Sequence, residues 1–272
     1  MISILILTFN EEKNIKDCLD SVSWSKDVLV FDSYSEDSTL QIAKKSGARV
    51  IQRRFDNYGS QRQAALEKGK FKYPWILVLD ADERVDEELA VELKAIAYDK
   101  SVLHDGFRIR RMDHFLGHWI PRSTLYPTWH LRFFKGIGAR YEKRTVHEHP
   151  VLTGSIGELK GHLHHFSFNK GLDEWLAKHK KYAKLEAAEG LALARQPIDW
   201  VDFFSPDPGR RRRSLKAFSY RWPCRGVFRF LYMMMVRMAF LDGPAGIRYS
   251  WMISRYESWV NQEMIILRKA GQ

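Results

Sequence analysis

The chain has 272 residues, a net charge of +11, 45% hydrophobic and 13% aromatic residues. That richness excludes a disordered chain, and two cysteines, Cys18 and Cys224, without CxxC or zinc spacing exclude a disulfide framework or a thiolate metal site. The charge is uneven, +2 over residues 1–150 and +9 over residues 151–272, which points to nucleic acid, an anionic membrane surface or phosphorylated ligands.

The opening MISILILTFNEE is apolar but has no basic leader and no small-residue cleavage site, so it reads as a first strand and not a signal peptide. Cysteine usage suggests a reducing compartment. Over the first hundred residues short β-rich runs alternate with helical patterns: ISILILTF, EEKNIKDCLDSVS, DVLVFDS, EDSTLQIAKKSG, ARVIQR, QRQAALEKG, WILVLDAD and EELAVELKAIA. These are four βα units, and they predict an α/β fold with a mostly parallel sheet and covering helices. Gly47 and Gly69 stand where helix C-terminal glycines belong. From Gly106 to Phe168 the runs FRIRRM, HLRFFK and GELKGHLHHFSF read as strands extending the same sheet. From Lys170 onward helix predominates. A long amphipathic segment is followed by the breaker SPDPGRRRR and two further segments divided at LDGPAG. The predicted division is a catalytic domain over 1–168 and a basic helical appendage over 169–272.

No stretch reaches the roughly 20 apolar residues of a membrane span. The segment 226–241, GVFRFLYMMMVRMAFL, contains Arg229 and Arg237. Arg221, Arg225 and Arg229 recur every fourth residue, downstream of Arg210 to Arg213. Such a stripe is expected to face lipid phosphates at a membrane interface, unless it is a core helix whose arginines pair with acids elsewhere.

Missing motifs narrow the chemistry. No GxGxxG follows the first strand, and no GxxxxGK[ST] or GxSxG occurs, which disfavours a dinucleotide site, a phosphate-loop NTPase and an α/β-hydrolase. The polar groups that are present fall at strand ends, where open α/β sheets bind ligands. Strand one ends in Thr8, Asn10 and Glu11, strand two in Asp32 and Ser33, and strand four in Asp80 and Asp82. Each has a bland account: Asn10, Asp37, Asp82 or Asp86 could cap the next helix. Together, acids at three strand ends suit a metal ion and the donors of a nucleotide.

TFNEEKNIKDCLDSV, DSYSEDST, GSQRQAA and LDADE, in this order and spacing, make the chain resemble a family 2 glycosyltransferase of the GT-A fold. HLRFF, VHEH, HHFSF and LDGPAG further resemble the bacterial subgroup of β-1,4-glucosyltransferases acting on the lipopolysaccharide inner core. The resemblance implies an inverting transfer of a hexose, glucose in that subgroup, from a UDP-sugar donor to a lipid-linked saccharide acceptor. It implies that Thr8, Asn10 and Glu11 border the nucleotide, that Asp32 accepts from the uracil ring nitrogen, and that Arg62 approaches the base or phosphates. Asp80 would hold the ribose or assist the metal, and Asp82 would bind Mg2+ or Mn2+. Arg132 could pair the donor phosphates, and with Trp129 it could shape the acceptor side.

The family's catalytic base, which takes the acceptor proton, lies after the metal motif, and Glu148 in TVHEHP is its positional match. Here His147 and Glu148 stand where many relatives have two acids, and Asp113 and Glu142 are alternatives. Strand alternation puts His162 and His164 on one face and His165 on the other. His165, before an aromatic and Ser as in the subgroup, is the implied further metal ligand. These features imply a cytoplasmic enzyme peripheral on the inner face of the cytoplasmic membrane, touching its anionic surface. A transferase acting on polyprenyl phosphate shares the first half of the pattern, whereas VHEH and LDGPAG favour a saccharide. A basic nucleic-acid-binding protein would leave the acids unexplained and lacks a recognisable module.

Overall fold

A computed structural model describes residues 1–141, 150–197 and 199–270. Its first part alternates as the sequence does: β1 Ile2–Thr8, α1 Ile15–Ser21, β2 Val28–Asp32, α2 Thr39–Lys45, β3 Arg49–Gln52, α3 Tyr58–Lys68, β4 Trp75–Asp80, β5 Glu83–Val85 and α4 Glu87–Tyr98. Then come β6 Gly106–Phe115, β7 His118–Trp119, β8 Thr128–Lys135, β9 Arg140–Tyr141, β10 Pro150–Val151 and β11 Ile156–His165. The chain divides into two compact units, residues 1–114 with 126–169, and residues 115–125 with 170–272.

The sheet of the first unit has the order β3-β2-β1-β4-β8-β6-β11-β5. β1 pairs in parallel with β2 and β4, β2 with β3, and β6 with β11, while β8 runs antiparallel to β4 and β6. This is the mostly parallel α/β sheet that the alternation predicts, with later strands extending it. Because side chains alternate across a strand, a fully apolar strand feeds two cores at once. Ile4, Ile6, Leu77 and Leu79 join one apolar cluster with Ile15, Cys18 and Leu19 of α1. Leu5, Leu29, Phe31, Ile76 and Val78 join the other with Ala64 and Ala65 of α3. α4 begins at Asp86, whose carboxylate accepts from Leu89 N at 2.7 Å. Its first turn lies so close to β11 that a Cβ on Gly161 would stand 2.4 Å from Leu89 Cα.

Gly69 corrects one expectation. Its φ is −67°, so it is not a left-handed helix terminator, and Lys70 takes φ 45° instead. Glycine is needed there because a Cβ would meet the Phe71 ring at 2.5 Å. Gly47, at φ 79°, does end α2.

The second unit is helical: α5 Leu172–Arg195, α6 Trp200–Phe203, α7 Pro208–Ser219, α8 Arg225–Leu231, a π turn Tyr232–Val236, a 3-10 turn Ala239–Asp242 and α9 Gly243–Ala270. Ala183, Ala187 and Gly190 give α5 a narrow face that packs with Tyr220, Val260 and Met264. Glu186 anchors this core, accepting from Tyr220 Oη at 2.6 Å and from Tyr256 Oη. The Arg run is no breaker. Asp207 caps α7 by accepting from Gly209 N at 2.7 Å, and the arginines follow within the helix. The expected basic stripe is not a single outward face either: Arg221 is exposed, but Arg225 is buried, 2.7 Å from Glu257 and over the Tyr220 ring at 3.9 Å. No helix among the described residues is long and apolar enough to cross a membrane.

Candidate active site

Strand register assembles the site. β5 returns antiparallel to β11, setting Glu83 opposite His165, and β11 runs parallel to β6, setting His165 opposite Asp113. Three acidic or basic side chains from distant sequence positions thus share one row. The backbone of Phe166 donates to Asp82 O at 2.8 Å, holding the loop after β4 beside that row.

His165 is the pivot of the row. Its Nδ1 is 2.6 Å from Asp113 Oδ1, and its Nε2 is 3.3 Å from Asp82 Oδ2. Arg111 Nε steadies Asp113 at 3.0 Å. Desolvation alone would make His165 less basic, but Asp82 and Asp113 outweigh it and push the imidazole up to about 9. Desolvation would likewise raise Asp82, but the charge and hydrogen bond of His165 hold it below its ordinary value. A carboxylate oriented on one imidazole nitrogen leaves the other aimed at Asp82, the arrangement by which proteins fix a metal-binding histidine. Once its Nε2 gives up the proton, His165 offers a nitrogen donor beside the Asp82 oxygen.

Asp80 is held from both sides. Arg62 of α3 reaches Oδ1 at 3.0 Å, and Arg132 of β8 reaches Oδ2 at 2.5 Å and Glu83 Oε1 at 2.9 Å. Glu83 Oε2 also accepts from Asp80 N at 2.9 Å. Desolvation opposes ionisation of Asp80, yet Arg132 and Arg62 hold it far below the usual carboxylate range. Glu83 is fully buried and raised by burial. Two guanidinium groups therefore offset the negative charge of the acids crowded at the end of β4.

The loops after β1 and β2 are latched to each other. Asp32, fully buried, accepts from Thr8 Oγ1 at 2.8 Å, Ser35 N at 2.8 Å, Ser35 Oγ at 2.5 Å and Gln52 Nε2 at 3.1 Å. Asn10, at φ 53°, takes Glu36 N on its side chain at 2.8 Å, and Glu11 N donates to Thr39 Oγ1 at 2.8 Å. Asn10 is a loop latch and not a helix cap.

Of the residues singled out in the sequence, Arg62, Asp80, Asp82, Arg132 and His165 come together at the end of β4. Thr8, Asn10, Glu11 and Asp32 form the neighbouring loop pair. Glu148, with Glu142 and His147, lies outside the described residues. His162 and His164 sit apart from His165, near Asp86 Oδ2 at 3.5 and 3.8 Å, as alternation requires. Asp86, Glu88 and His162 also lie close enough to share an ion, but Asp86 is already bound as the cap of α4. Trp129 lies under the Arg110 guanidinium at 5.5 Å. Sequence reasoning passed over Glu83, the orienting role of Asp113, and His130. Burial, then Arg132, push His130 down to about 3, and its buried Nε2 has no hydrogen-bond partner among the described residues. Glu83 stands in LDADE, but only the β5–β11 register turns it inward.

The family model described as glycosyl transferase family 2 matches residues 3–154, more than half of the chain. The chain belongs to this family. The family 2 match spans the acids after β1, β2 and β4. A lipopolysaccharide core biosynthesis glycosyltransferase, LpsC, of Rhizobium meliloti (strain 1021) is 30% identical over 215 residues, covering 75% of this chain and 77% of the relative. An uncharacterized glycosyltransferase of Rickettsia prowazekii (strain Madrid E) is 28% identical over 199 residues, covering 69% and 67%. Among solved structures, residues 1–349 of S. aureus TarS overlay with a TM-score of 0.44 at 16% identity, covering 94% of this family 2 chain and 91% of that one.

Proposed function

We propose that this glycosyltransferase is an inverting, metal-dependent enzyme that moves glucose from a UDP-sugar to a lipid-linked saccharide of the lipopolysaccharide inner core. The observation that carries the reading is the Asp82–His165 pair, 3.3 Å apart and oriented by Asp113 at the ligand-binding edge of the sheet. The name of the Rhizobium meliloti relative supports the acceptor class. The catalytic domain would be residues 1–168, apart from the segment 115–125 that groups with the helical unit, and residues 169–272 would be an appendage at the inner face of the cytoplasmic membrane.

Asp82 and His165 would hold Mg2+ or Mn2+, and the mixed oxygen and nitrogen donor set favours Mn2+. When bound, the ion neutralises charge gathering on the diphosphate. Thr8, Asn10 and Glu11 border the nucleotide, with Arg62 near the base or phosphates. A uracil ring nitrogen reaches Asp32 only by displacing one of its four present donors. Asp80 would face the ribose, Arg132 keeps it ionised and in place, and Arg132 would also pair the donor phosphates.

The acceptor oxygen attacks the anomeric carbon on the face opposite the diphosphate. The carbon–oxygen bond to UDP breaks with its electron pair leaving on UDP, and Glu148 takes the hydroxyl proton. The test is incubation of the purified protein with UDP-glucose, Mn2+ and delipidated or intact lipopolysaccharide, read by product mass. Glu148→Gln should keep donor affinity while turnover falls by roughly 100-fold or more. Unchanged turnover would remove Glu148 from the base role.

A further inference from the structure

The helical unit turns apolar side chains to solvent where a helix of a water-exposed protein carries polar ones. Phe228, Leu231, Tyr232, Met235 and Val236 are exposed and spaced by three and four residues, forming one stripe along α8 and the π turn. Met235 is 74% exposed and Val236 is 65% exposed. The 3-10 turn adds exposed Phe240 and Leu241, and α9 adds Ile247 and Trp251 one turn apart. The opposite side of α8 faces inward, where a Cβ on Gly226 would meet Ser258 Oγ at 2.1 Å and where Arg225 pairs with Glu257. An exposed patch of this extent marks an interaction surface.

Charge identifies the occupant. Between Arg221 and Glu257 the sequence has six arginines and two acids, Asp242 and Glu257, and Glu257 pairs inward with the buried Arg225. Asp242 is turned toward Ser123, accepting from its N and Oγ at 2.8 Å each. Arg221, Arg248 and Arg255 are exposed, and Arg255 lies over the Trp251 ring at 4.8 Å. A second copy docking by two-fold symmetry would bring this cationic surface against itself, which like charges oppose. An anionic bilayer satisfies both features, with acyl chains for the stripe and lipid phosphates for the arginines.

We propose that the surface formed by α8, the π and 3-10 turns and the start of α9 docks on an anionic membrane, its apolar stripe seated at the boundary between headgroups and acyl chains. The inference rests on the proposed membrane-bound acceptor and moves the anchor from the basic residues, Arg210 to Arg213 and the Arg221, Arg225 and Arg229 stripe, to the apolar stripe.

Flotation with vesicles of phosphatidylcholine plus phosphatidylglycerol, and of phosphatidylcholine alone, tests it. The full chain should bind the mixed vesicles, and part of that binding should survive salt, because the apolar contribution is unscreened. The triple variant Leu231→Gln, Met235→Gln, Leu241→Gln should weaken partitioning about 100-fold. Changing Arg210, Arg211, Arg212 and Arg213 to Ser should weaken it about tenfold or less. Brominated lipid should quench wild-type fluorescence more than that of Trp251→Phe. Circular dichroism and melting establish that the variants fold. Vesicle binding by the triple variant equal to wild type overturns the inference. So does a wild-type dimer in sedimentation that the triple variant dissolves without loss of vesicle binding. Absence of sugar transfer to soluble acceptor, with vesicle behaviour as expected, would instead sink the proposed function and leave the docking surface standing.

Discussion

His165 and Asp82 each favour the charged form of the other, so removing one changes both. Asp82→Ala is expected to abolish transfer and to weaken donor binding in Mn2+, while the melting temperature stays close to wild type because Asp82 packs no apolar core. Wild-type rates in excess chelator would contradict it. Asp113 touches no substrate in this scheme and acts by positioning. Asp113→Ala should lower Mn2+ affinity by about 10–100-fold, read by electron paramagnetic resonance of free Mn2+, with UDP binding in the absence of metal unchanged. An unaltered Mn2+ affinity would show that His165 needs no orienting partner. Asp80 and Asp82 are legible in the sequence because a buried strand that runs straight into acids delivers them to the ligand-binding edge of an α/β sheet. The place of Asp113 is not, since its meaning comes from the β6–β11 register, which no local pattern carries.

At the scale of elements, apolar runs mark β1, β2 and β4 because parallel strands covered on both faces need continuous hydrophobicity. Helix polarity is harder to read. The spacing of Arg221, Arg225 and Arg229 defines a stripe but not the side it faces, and Arg225 turns inward because Glu257 and the Tyr220 ring receive it. Gly69 is ambiguous for a related reason: a glycine that permits positive φ and one that makes room for a ring look alike in sequence. Gly69→Ala should therefore destabilise by about 1–3 kcal/mol in urea unfolding, through the clash with Phe71. The latch between the loops after β1 and β2 depends on Asp32. Asp32→Ala leaves the donors of Thr8, Ser35 and Gln52 without their acceptor and should cost at least about 3 kcal/mol. A change below about 1 kcal/mol would mean the loops hold without it.

For the whole chain, an acid-rich sheet edge and a basic helical unit divide the chemistry from the membrane contact proposed above. The helical unit has its own acid-sensitive core. Burial opposes ionisation of Glu186, but hydrogen bonds from Tyr220 and Tyr256 and the charge of Lys216 outweigh it and hold the carboxyl below its ordinary 4.5. A carboxyl depressed in the folded state contributes stability that is fully present above its unfolded value and is lost as pH falls through the folded one. Glu186→Gln should accordingly flatten the acid limb of the stability profile and cost roughly 1–3 kcal/mol near neutrality. The measurement that bears most directly on the assigned chemistry is the product mass after incubation of UDP-glucose, Mn2+ and delipidated lipopolysaccharide core with the wild type and with Asp82→Ala. One added hexose with the wild type and none with the variant is the expected result. No added hexose with the wild type, or equal product from Asp82→Ala, would contradict a metal-assisted transfer at the end of β4.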